Sequence, residues 1–273
     1  SKDLSEKGID WGDFIICTLG CFLAHAAANI LSDYYDYKNG VDRNETYGSS
    51  RMIVEGAITS KEAFFGAIVA YGISALIGLY FVMTIPNGYQ LTWLILFGAI
   101  LGIFYTAKPF EFKYHALGDV CVFLAFGSLM TLGAYFVQTS AMSWKPVLYV
   151  LPLAFLVDAI LHSNNLRDIA HDREANVTTF AGLIGNKRSQ FMYYVLVLGA
   201  YLLNLALVLF ADMPWITMIT WVSLPLAFRA IRIVRNKDNM EAAEFAMIDA
   251  CTAQLHSAYA LLLVFAFLIQ RFI

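Results

Sequence analysis

The amino-acid sequence predicts an all-α protein, a polytopic bundle of helices that cross a membrane. Three observations support this prediction. Of the 273 residues, 59% are hydrophobic and only 14% are charged. The mean hydropathy is +0.63. The apolar residues are gathered into stretches of roughly 17–23 residues, which is the length that an α-helix needs to cross a lipid bilayer.

Eight such stretches can be counted, and they leave no room for a separate soluble domain. We therefore interpret residues 1–273 as a single membrane domain. The third stretch is short and the eighth begins in an amphipathic lead-in. The expected spans are Phe14–Leu31, Ala63–Ile85, Leu91–Thr106, Leu117–Val137, Pro146–His162, Phe191–Phe210, Trp215–Ile233 and Thr252–Ile273.

Charge is distributed unevenly between the two faces of the predicted bundle. The linkers alternate between short and long, and most of the 18 Lys and Arg residues lie in or beside the long linkers. The positive-inside rule makes that face cytoplasmic. The net charge is −3, and we expect the lipid bilayer as a partner but no nucleic acid. The start, SKDLSEKGIDWGD, is polar and lacks an initiator Met, so we expect no cleavable signal and a trimmed chain.

Two groups of aspartates directly follow hydrophobic stretches on the predicted cytoplasmic face. The first lies in NILSDYYDYKNGVD, which begins at Asn29. Its Asp33 and Asp36 are three residues apart, and Asp42 follows an Asn-Gly pair that predicts a turn back toward Asp36. The site is therefore expected to open to the cytosol.

The second group lies in NNLRDIAHDRE, which begins at Asn164. Asp168 and Asp172 are spaced i, i+4 and so share a helix face, which Asn165 joins. Taken alone, this segment also fits a solvated helix end with ordinary Arg–Asp pairs. Two charges about 5 Å apart repel by about 3 kcal/mol at an effective dielectric of about 20. Clustered carboxylates therefore call for cations, and Mg²⁺ shared with a phosphorylated ligand is the usual solution.

The two motifs together resemble the aspartate-rich motifs of the UbiA superfamily of membrane prenyltransferases, and more closely its menaquinone branch. The first motif of that branch is Asn-x-x-x-Asp followed by Gly-x-Asp. Ser32, Asp36, Gly40 and Asp42 match it except at the first position, where Ser replaces Asn. Asn29 lies one turn earlier and is the alternative for that role.

The resemblance extends beyond the first motif, from about residue 22 to residue 185. The second motif is matched by ILHSNNLRDIAHDRE, from Ile160. RMIVEGAIT, from Arg51, and FKYHALGD, from Phe112, agree in kind, and Lys113 corresponds to a basic residue assigned to diphosphate contact. The family fold has nine membrane helices, so we expect the family's first helix to be missing from this chain.

The resemblance implies a Mg²⁺-dependent enzyme that transfers a polyprenyl group from an isoprenyl diphosphate to an aromatic quinone precursor. The implied acceptor is 1,4-dihydroxy-2-naphthoate, which also loses CO₂, or a naphthoquinone in menaquinone biosynthesis. Other acceptors of the superfamily would use the same metal site and remain open.

The candidate site residues follow from the motifs and the resemblance together. Asp36 and Asp42 are expected to hold one Mg²⁺, and Asp168 and Asp172 a second, with both ions bridging to the diphosphate. Lys113 completes the expected catalytic set. The residues expected at the substrates are Asn29, Ser32, Arg51, Asn164, Asn165, Arg167 and Tyr105.

Some of these residues have a simpler interpretation. The basic residues also fit positive-inside topology, and Tyr105 fits packing as well as cation–π contact with an allylic cation. Asp158 and His162, inside the fifth span, are either a mutual hydrogen-bonded pair or a base for the acceptor. The four cysteines lie in or at the mouths of apolar helices without a CxxC motif, so we expect neither disulfides nor zinc.

A carboxylate-based ion or solute transporter is the alternative from another functional class. Such a protein would place its acids near the middle of the spans and interrupt its helices there with Gly or Pro. Here the aspartate groups lie at the predicted helix ends instead.

Overall fold

The computed structural model describes residues 8–43 and 50–272, and all regular elements within these ranges are helical. The all-α prediction is thereby confirmed. Most of the polar start, residues 1–7, lies outside the described residues, as do part of the first long loop, residues 44–49, and the last residue.

Eleven α-helices occur in the described residues. Their bounds are α1 Trp11–Lys38, α2 Ser60–Thr84, α3 Leu91–Ile103, α4 Gly118–Leu124, α5 Met130–Thr139, α6 Lys145–Glu174, α7 Phe180–Ile184, α8 Asn186–Phe210, α9 Leu224–Arg235, α10 Ala242–Phe245 and α11 Ile248–Gln270. Short 3₁₀ segments lie at Gly88–Gln90, Phe112–Tyr114 and Lys237–Asn239, with a longer one at Trp215–Ser223. A π-helical segment, Ala125–Leu129, joins α4 to α5.

Seven helical segments in the described part of the chain are long and apolar enough to cross a membrane. They match seven of the eight predicted spans. The predicted third span is the shorter apolar helix Gly88–Ile103. The protein is therefore a multi-pass membrane helix bundle, as the hydropathy predicts.

The described residues form two compact units, which meet in sequence between Pro146 and Val147. In the first unit, α1 packs along α2. A Cβ atom added to Gly20 would lie only 2.9 Å from the Ile77 side chain, and the Ser74 hydroxyl donates to the Gly20 carbonyl at 2.9 Å. A small residue on α1 thus allows the close backbone approach that is common between membrane helices.

The ends of α1 and α2 follow from local chemistry. Asp10 caps α1 by accepting a hydrogen bond from the Asp13 amide at 3.0 Å. Thr59 and Glu62 form a capping box at the start of α2. Helix α1 ends at Lys38 with Asn39 as its C-cap, and Gly40 follows with a φ of 70°. The first aspartate group therefore lies on the last turns of α1 and the turn that follows it.

In the second unit, α6, α8, α9 and α11 enclose the main apolar core. Leu156, Val197 and Leu255 are fully buried in it. The hydroxyls of Tyr193 and Thr252 are 2.8 Å apart and link α8 to α11. This unit carries the second aspartate group near the end of α6.

The seventh predicted span begins as a 3₁₀ helix rather than an α-helix, at Trp215–Ser223. Its hydroxyl side chains explain this difference. Thr217, Thr220 and Ser223 each donate to the carbonyl three residues earlier, at 2.7, 2.9 and 2.6 Å. These bonds follow the three-residue period of the 3₁₀ helix, which hydropathy does not reveal.

The packing of α11 makes a testable prediction about stability. Leu255 is fully buried, so Leu255→Ala should lower the free energy of unfolding by about 2–5 kcal/mol because it leaves a cavity. Leu261 lies on the same helix and is 71% exposed, and Leu261→Ala should change it by less than about 0.5 kcal/mol. Denaturant unfolding in detergent, followed by circular dichroism, measures both. Equal losses would mean that the buried face of α11 is assigned wrongly.

Candidate functional site

The carboxylate of Asp36 lies on the last turn of α1 and is buried. Three side chains donate hydrogen bonds to it. Lys113 Nζ lies 2.5 Å and Ser32 Oγ 3.1 Å from Oδ2, and Tyr114 Oη lies 2.8 Å from Oδ1. Lys113 Nζ also donates to Ser32 Oγ at 3.2 Å. Asp36 is therefore the centre of a compact polar cluster.

The loop after α3 places Lys113 and Tyr114 against Asp36. The amides of Phe112 and Lys113 donate to the carbonyls of Phe104 and Tyr105 at 3.0 and 2.8 Å. This pairing fixes the backbone of the 3₁₀ turn that carries both side chains. Lys113 thus reaches the end of α1 from a loop 77 residues away in sequence.

The turn predicted at the Asn-Gly pair is present. The amides of Val41 and Asp42 donate to the Asp36 carbonyl at 2.8 and 3.2 Å, and Gly40 provides the positive φ that the turn needs. The backbone of Asp42 is therefore held next to that of Asp36, as the sequence predicts.

The charges of this cluster determine its protonation. Burial alone would lower the pKa of Lys113, but the opposite charge of Asp36 and its hydrogen bond, with Tyr105 and Tyr114, raise that pKa above its usual value. Burial, and next the negative charge of Asp36, raise the pKa of Tyr114. Lys113 is therefore a stable cation at neutral pH, and Tyr114 is a neutral donor.

The other polar residues of the first motif divide between two environments. Ser32 contacts Asp36, whereas the Nδ2 atom of Asn29 lies 3.1 Å from Nε2 of His25. Asp33 accepts a hydrogen bond from Ser50 Oγ at 2.6 Å. The residue at the family's Asn position thus meets the central carboxylate, although it is a serine.

A cavity of about 280 Å³ opens beside the first motif. Asn29, Asp33 and Ser50 supply its polar lining, and the rest of the lining is apolar. Arg51 follows directly, with Nε 2.7 Å from Glu55 Oε1. Tyr105 is partly buried, and its hydroxyl lies 3.3 Å from the position that a Cβ of Gly118 would occupy.

The second aspartate group forms its own ionic cluster in the second unit. Arg167 donates to both carboxylate oxygens of Asp168, with Nε–Oδ1 at 2.8 Å and Nη2–Oδ2 at 2.7 Å. Its Nη1 atom also pairs with Asp249 at the start of α11. With the Asn164 amide nitrogen turned toward Asp249, it donates to both oxygens of that carboxylate, at 2.7 and 2.9 Å.

Asp172 lies one turn beyond Asp168 and is buried. Thr179 Oγ1 donates to its Oδ2 atom at 3.3 Å, and the Val177 amide donates to its carbonyl at 2.8 Å. Asn165 is also buried. The i, i+4 spacing thus lies on α6 as the sequence predicts, near its C-terminal end.

Inside the membrane part of α6, His162 is fully buried and its Nε2 atom faces Ser189, 3.1 Å from the carbonyl oxygen and 2.9 Å from the hydroxyl. Asp158 is buried on the same helix. His162 therefore contributes to the packing of α6 against α8.

Two residues of these clusters were not predicted. Tyr114 follows Lys113 directly in FKYHALGD. The segment that points to Lys113 therefore also contained Tyr114. Asp249 stands in DACTAQ at the start of the last helix, and its spacing in the sequence carries no signal. Only the fold brings it to Arg167.

The donor chemistry fits Mg²⁺. In the described ranges no three His, Cys, Asp or Glu side chains are grouped to hold a metal by themselves. Mg²⁺ does not require such a group, because it binds through one or two carboxylates and takes the remaining oxygens from water and phosphate. Carboxylates of this kind lie near the end of α1, on Asp36, and near the end of α6, on Asp168 and Asp172, and Asp42 follows α1. The lysine and the arginine that hold Asp36 and Asp168 would compete with the ion.

Comparison with known proteins gives a consistent result. The model of the UbiA prenyltransferase family matches residues 4–258. UbiA prenyltransferase domain-containing protein 1 of Xenopus tropicalis is 32% identical over 255 residues, which cover 92% of this chain and 70% of that one. The 1,4-dihydroxy-2-naphthoate octaprenyltransferase of Bacillus subtilis is 30% identical over 263 residues, which cover 95% and 82%.

A solved structure shares the fold. It is that of a UbiA homolog from Archaeoglobus fulgidus bound to GPP and Mg²⁺. The TM-score is 0.58 and the sequence identity 17%, with 94% of this chain and 89% of the other covered. At this identity the likeness concerns the fold alone.

The Asp36–Lys113 contact predicts a large stability effect. Lys113→Met should lower the free energy of unfolding by about 3–5 kcal/mol, because it removes the cation from a buried carboxylate. Arg51→Met is the control, since Glu55 in that pair is 59% exposed and its loss should cost less than about 1 kcal/mol. Thermal and denaturant unfolding in detergent measure both changes. If the two variants lost equal stability, Asp36 would not depend on Lys113.

Proposed function

Because the chain belongs to the UbiA prenyltransferase family, we propose that it transfers a polyprenyl group from an isoprenyl diphosphate to an aromatic acceptor in a Mg²⁺-dependent reaction. The proposed acceptor is 1,4-dihydroxy-2-naphthoate or a naphthoquinone, in menaquinone biosynthesis. Membership of the family makes the chain a membrane-bound prenyltransferase. The acceptor, the metal and the residue roles are the parts that we propose.

The observation that carries this proposal is the buried carboxylate of Asp36 next to the fixed ammonium of Lys113, at the end of a spanning helix. A carboxylate that can take a metal ion, beside a cation that can take an anion, suits a metal–diphosphate ligand. Two comparisons agree with it. The Bacillus subtilis relative is named for 1,4-dihydroxy-2-naphthoate, and the neighbour of the same fold was solved with GPP and Mg²⁺.

The departure of diphosphate from an allylic carbon is the step that needs charge compensation. Bound Mg²⁺ would neutralise the leaving group. We assign Asp36 and Asp42 to one ion, and Asp168 and Asp172 to a second. In the first unit, Lys113 is positioned by Ser32 and the Tyr105 backbone, and we propose that its ammonium contacts a phosphate oxygen once the substrate is bound.

The arginines and amides have supporting roles in this proposal. Arg51 and Arg167 are candidates for bidentate contact with phosphate oxygens. Asn29 lines the cavity beside the first motif, and Asn164 and Asn165 flank the second aspartate pair on α6. These amides are proposed to orient the substrates, together with Ser32.

The allylic cation left by diphosphate departure must be kept from water until the ring carbon of the acceptor attacks it. Apolar membrane helices exclude water, and aromatic faces stabilise positive charge. Tyr105 lies beside Lys113 in the first unit. We propose the ring of Tyr105 as one such face.

The orientation is also part of the proposal. Lys113 and both aspartate groups lie on segments that the positive-inside rule places on the cytoplasmic face. We therefore propose that the substrates' polar head groups are bound at the cytoplasmic membrane surface. An isoprenyl diphosphate would then keep its charged end in water and its chain in lipid.

The positions of the two aspartate groups do not favour a transporter. Asp36 lies on the last turn of α1, and Asp168 and Asp172 lie near the C-terminal end of α6. A transporter would place its coupling acids near the membrane midplane.

Product analysis tests the proposed reaction directly. Purified protein should convert geranylgeranyl diphosphate and 1,4-dihydroxy-2-naphthoate to a prenylated, decarboxylated product that mass spectrometry detects. EDTA should abolish the reaction and added Mg²⁺ restore it, because the carboxylates need a divalent cation. A panel with 4-hydroxybenzoate and a naphthoquinone identifies the acceptor. Full turnover in EDTA would contradict the metal chemistry, and product with hydroxybenzoate alone would contradict the acceptor.

The aspartates should differ in their importance. Asp36→Ala, Asp168→Ala and Asp172→Ala should each reduce kcat/KM by about a hundredfold or more, because they remove preorganised charge from the reacting site. Asp33→Ala is the matched control, since Asp33 instead accepts from Ser50, and it should lose less than about tenfold. Rates are compared after thermal unfolding shows that each variant is folded. Equal losses at Asp33 and Asp36 would mean that the motif register is wrong.

A further inference from the structure

Arg167 is held from two sides by carboxylates on two different helices. Its side chain is only 5% exposed. One carboxylate belongs to its neighbour Asp168, and the other to Asp249, 82 residues away on α11. A buried guanidinium with two carboxylates has more negative partners than it needs for charge balance.

Asp249 is itself fixed in place. It lies in the first turn of α11, where the helix dipole stabilises negative charge. The Asn164 amide, in the orientation given above, donates to both of its oxygens. Asn164 and Arg167 are three residues apart on α6 and so lie on the same face of that helix. Both side chains on this face contact Asp249. Asp249 is therefore the fixed end of the chain Asp249–Arg167–Asp168.

The neighbouring cation is committed elsewhere. The Nζ atom of Lys237 donates to the Leu166 carbonyl at 2.6 Å and to Asn186 Oδ1 at 2.9 Å. In the part of the chain that the structure describes, Arg167 is the cation in direct contact with Asp168. A divalent ion that takes the same oxygens of Asp168 would therefore compete with Arg167.

We propose that Asp249 is a positioning residue. It holds Arg167 in place while the Asp168 carboxylate exchanges Arg167 for a divalent cation. This inference rests on the proposed function, which requires such a cation at Asp168. Without a second carboxylate, releasing Asp168 would leave the buried guanidinium unpaired, at a high energetic cost. With Asp249 present, Arg167 keeps a partner, and the exchange of Asp168 from arginine to metal becomes easier.

Binding of Mn²⁺, followed by electron paramagnetic resonance on the full chain in detergent without substrates, tests this proposal. Asp249→Asn should raise the Mn²⁺ concentration for half-saturation by about fivefold or more, because Arg167 then depends on Asp168 alone. Asp249→Glu, which keeps the charge, should bind within about twofold of wild type. Glu244→Gln removes an exposed carboxylate just before α11, and we expect no shift from it. Thermal unfolding identifies any variant that fails to fold. If Asp249→Asn alone fails to fold, the comparison relies on Asp249→Glu and on the double variant described below.

A double-mutant cycle separates positioning from simple charge removal. If Asp249 acts through Arg167, adding Asp249→Asn to Arg167→Gln should change Mn²⁺ binding by less than about twofold. A shift of the same size in both backgrounds would overturn the proposal, because it would show a direct charge effect of Asp249. An unchanged half-saturation in Asp249→Asn would overturn it as well.

The same measurement distinguishes this inference from the proposed function. If wild type binds no Mn²⁺, the role of Asp249 is overturned, whereas the proposed function is decided by product analysis with Mg²⁺ and diphosphate present. If wild type binds Mn²⁺ and the cycle shows coupling, the role of Asp249 is supported even where product analysis finds no prenyl transfer.

Discussion

A carboxylate that is withdrawn from water must be compensated by a nearby cation or by hydrogen-bond donors, because an unpaired buried charge is very costly. Both aspartate groups obey this constraint. Asp36 is met by an ammonium, a hydroxyl and a phenol, and Asp168 by a bidentate guanidinium. The loop after α3 and the end of α6 are arranged so that these donors reach the acids. The local structure of both units depends on satisfying them.

The constraint has a functional side. Donors that compensate an acid at rest must give way, or be shared, when a metal ion binds the same oxygens. In the proposed cycle Lys113 pairs with Asp36 at rest and with a phosphate when substrate is bound. Arg167, in contrast, pairs at rest with both Asp168 and Asp249. A lysine suits the first exchange because its charge is a compact point on a flexible stem. An arginine between two carboxylates suits the second, because it can release one and keep the other.

How much of this molecule the sequence predicts depends on how far apart the interacting residues lie. Contacts within one or two helical turns were predictable: the Asp168–Asp172 face, the turn that returns Asp42 to Asp36, and the spans themselves. Contacts over long separations were not predictable from spacing. Lys113 was found through family resemblance, although it reaches Asp36 across 77 residues, and Asp249 was missed because 82 residues separate it from Arg167. Hydropathy also describes a span as apolar without showing whether hydroxyl groups redirect its hydrogen bonds.

The 3₁₀ segment Trp215–Ser223 changes how much bilayer its span can cover. A 3₁₀ helix rises about 2.0 Å per residue and an α-helix about 1.5 Å. Its nine residues therefore extend about 18 Å, where an α-helix would extend about 13–14 Å. A segment of only 21 residues, Trp215–Arg235, thereby gains several ångströms of reach without added sequence. The hydroxyls of this segment thus lengthen the span beyond that of an α-helix with the same number of residues.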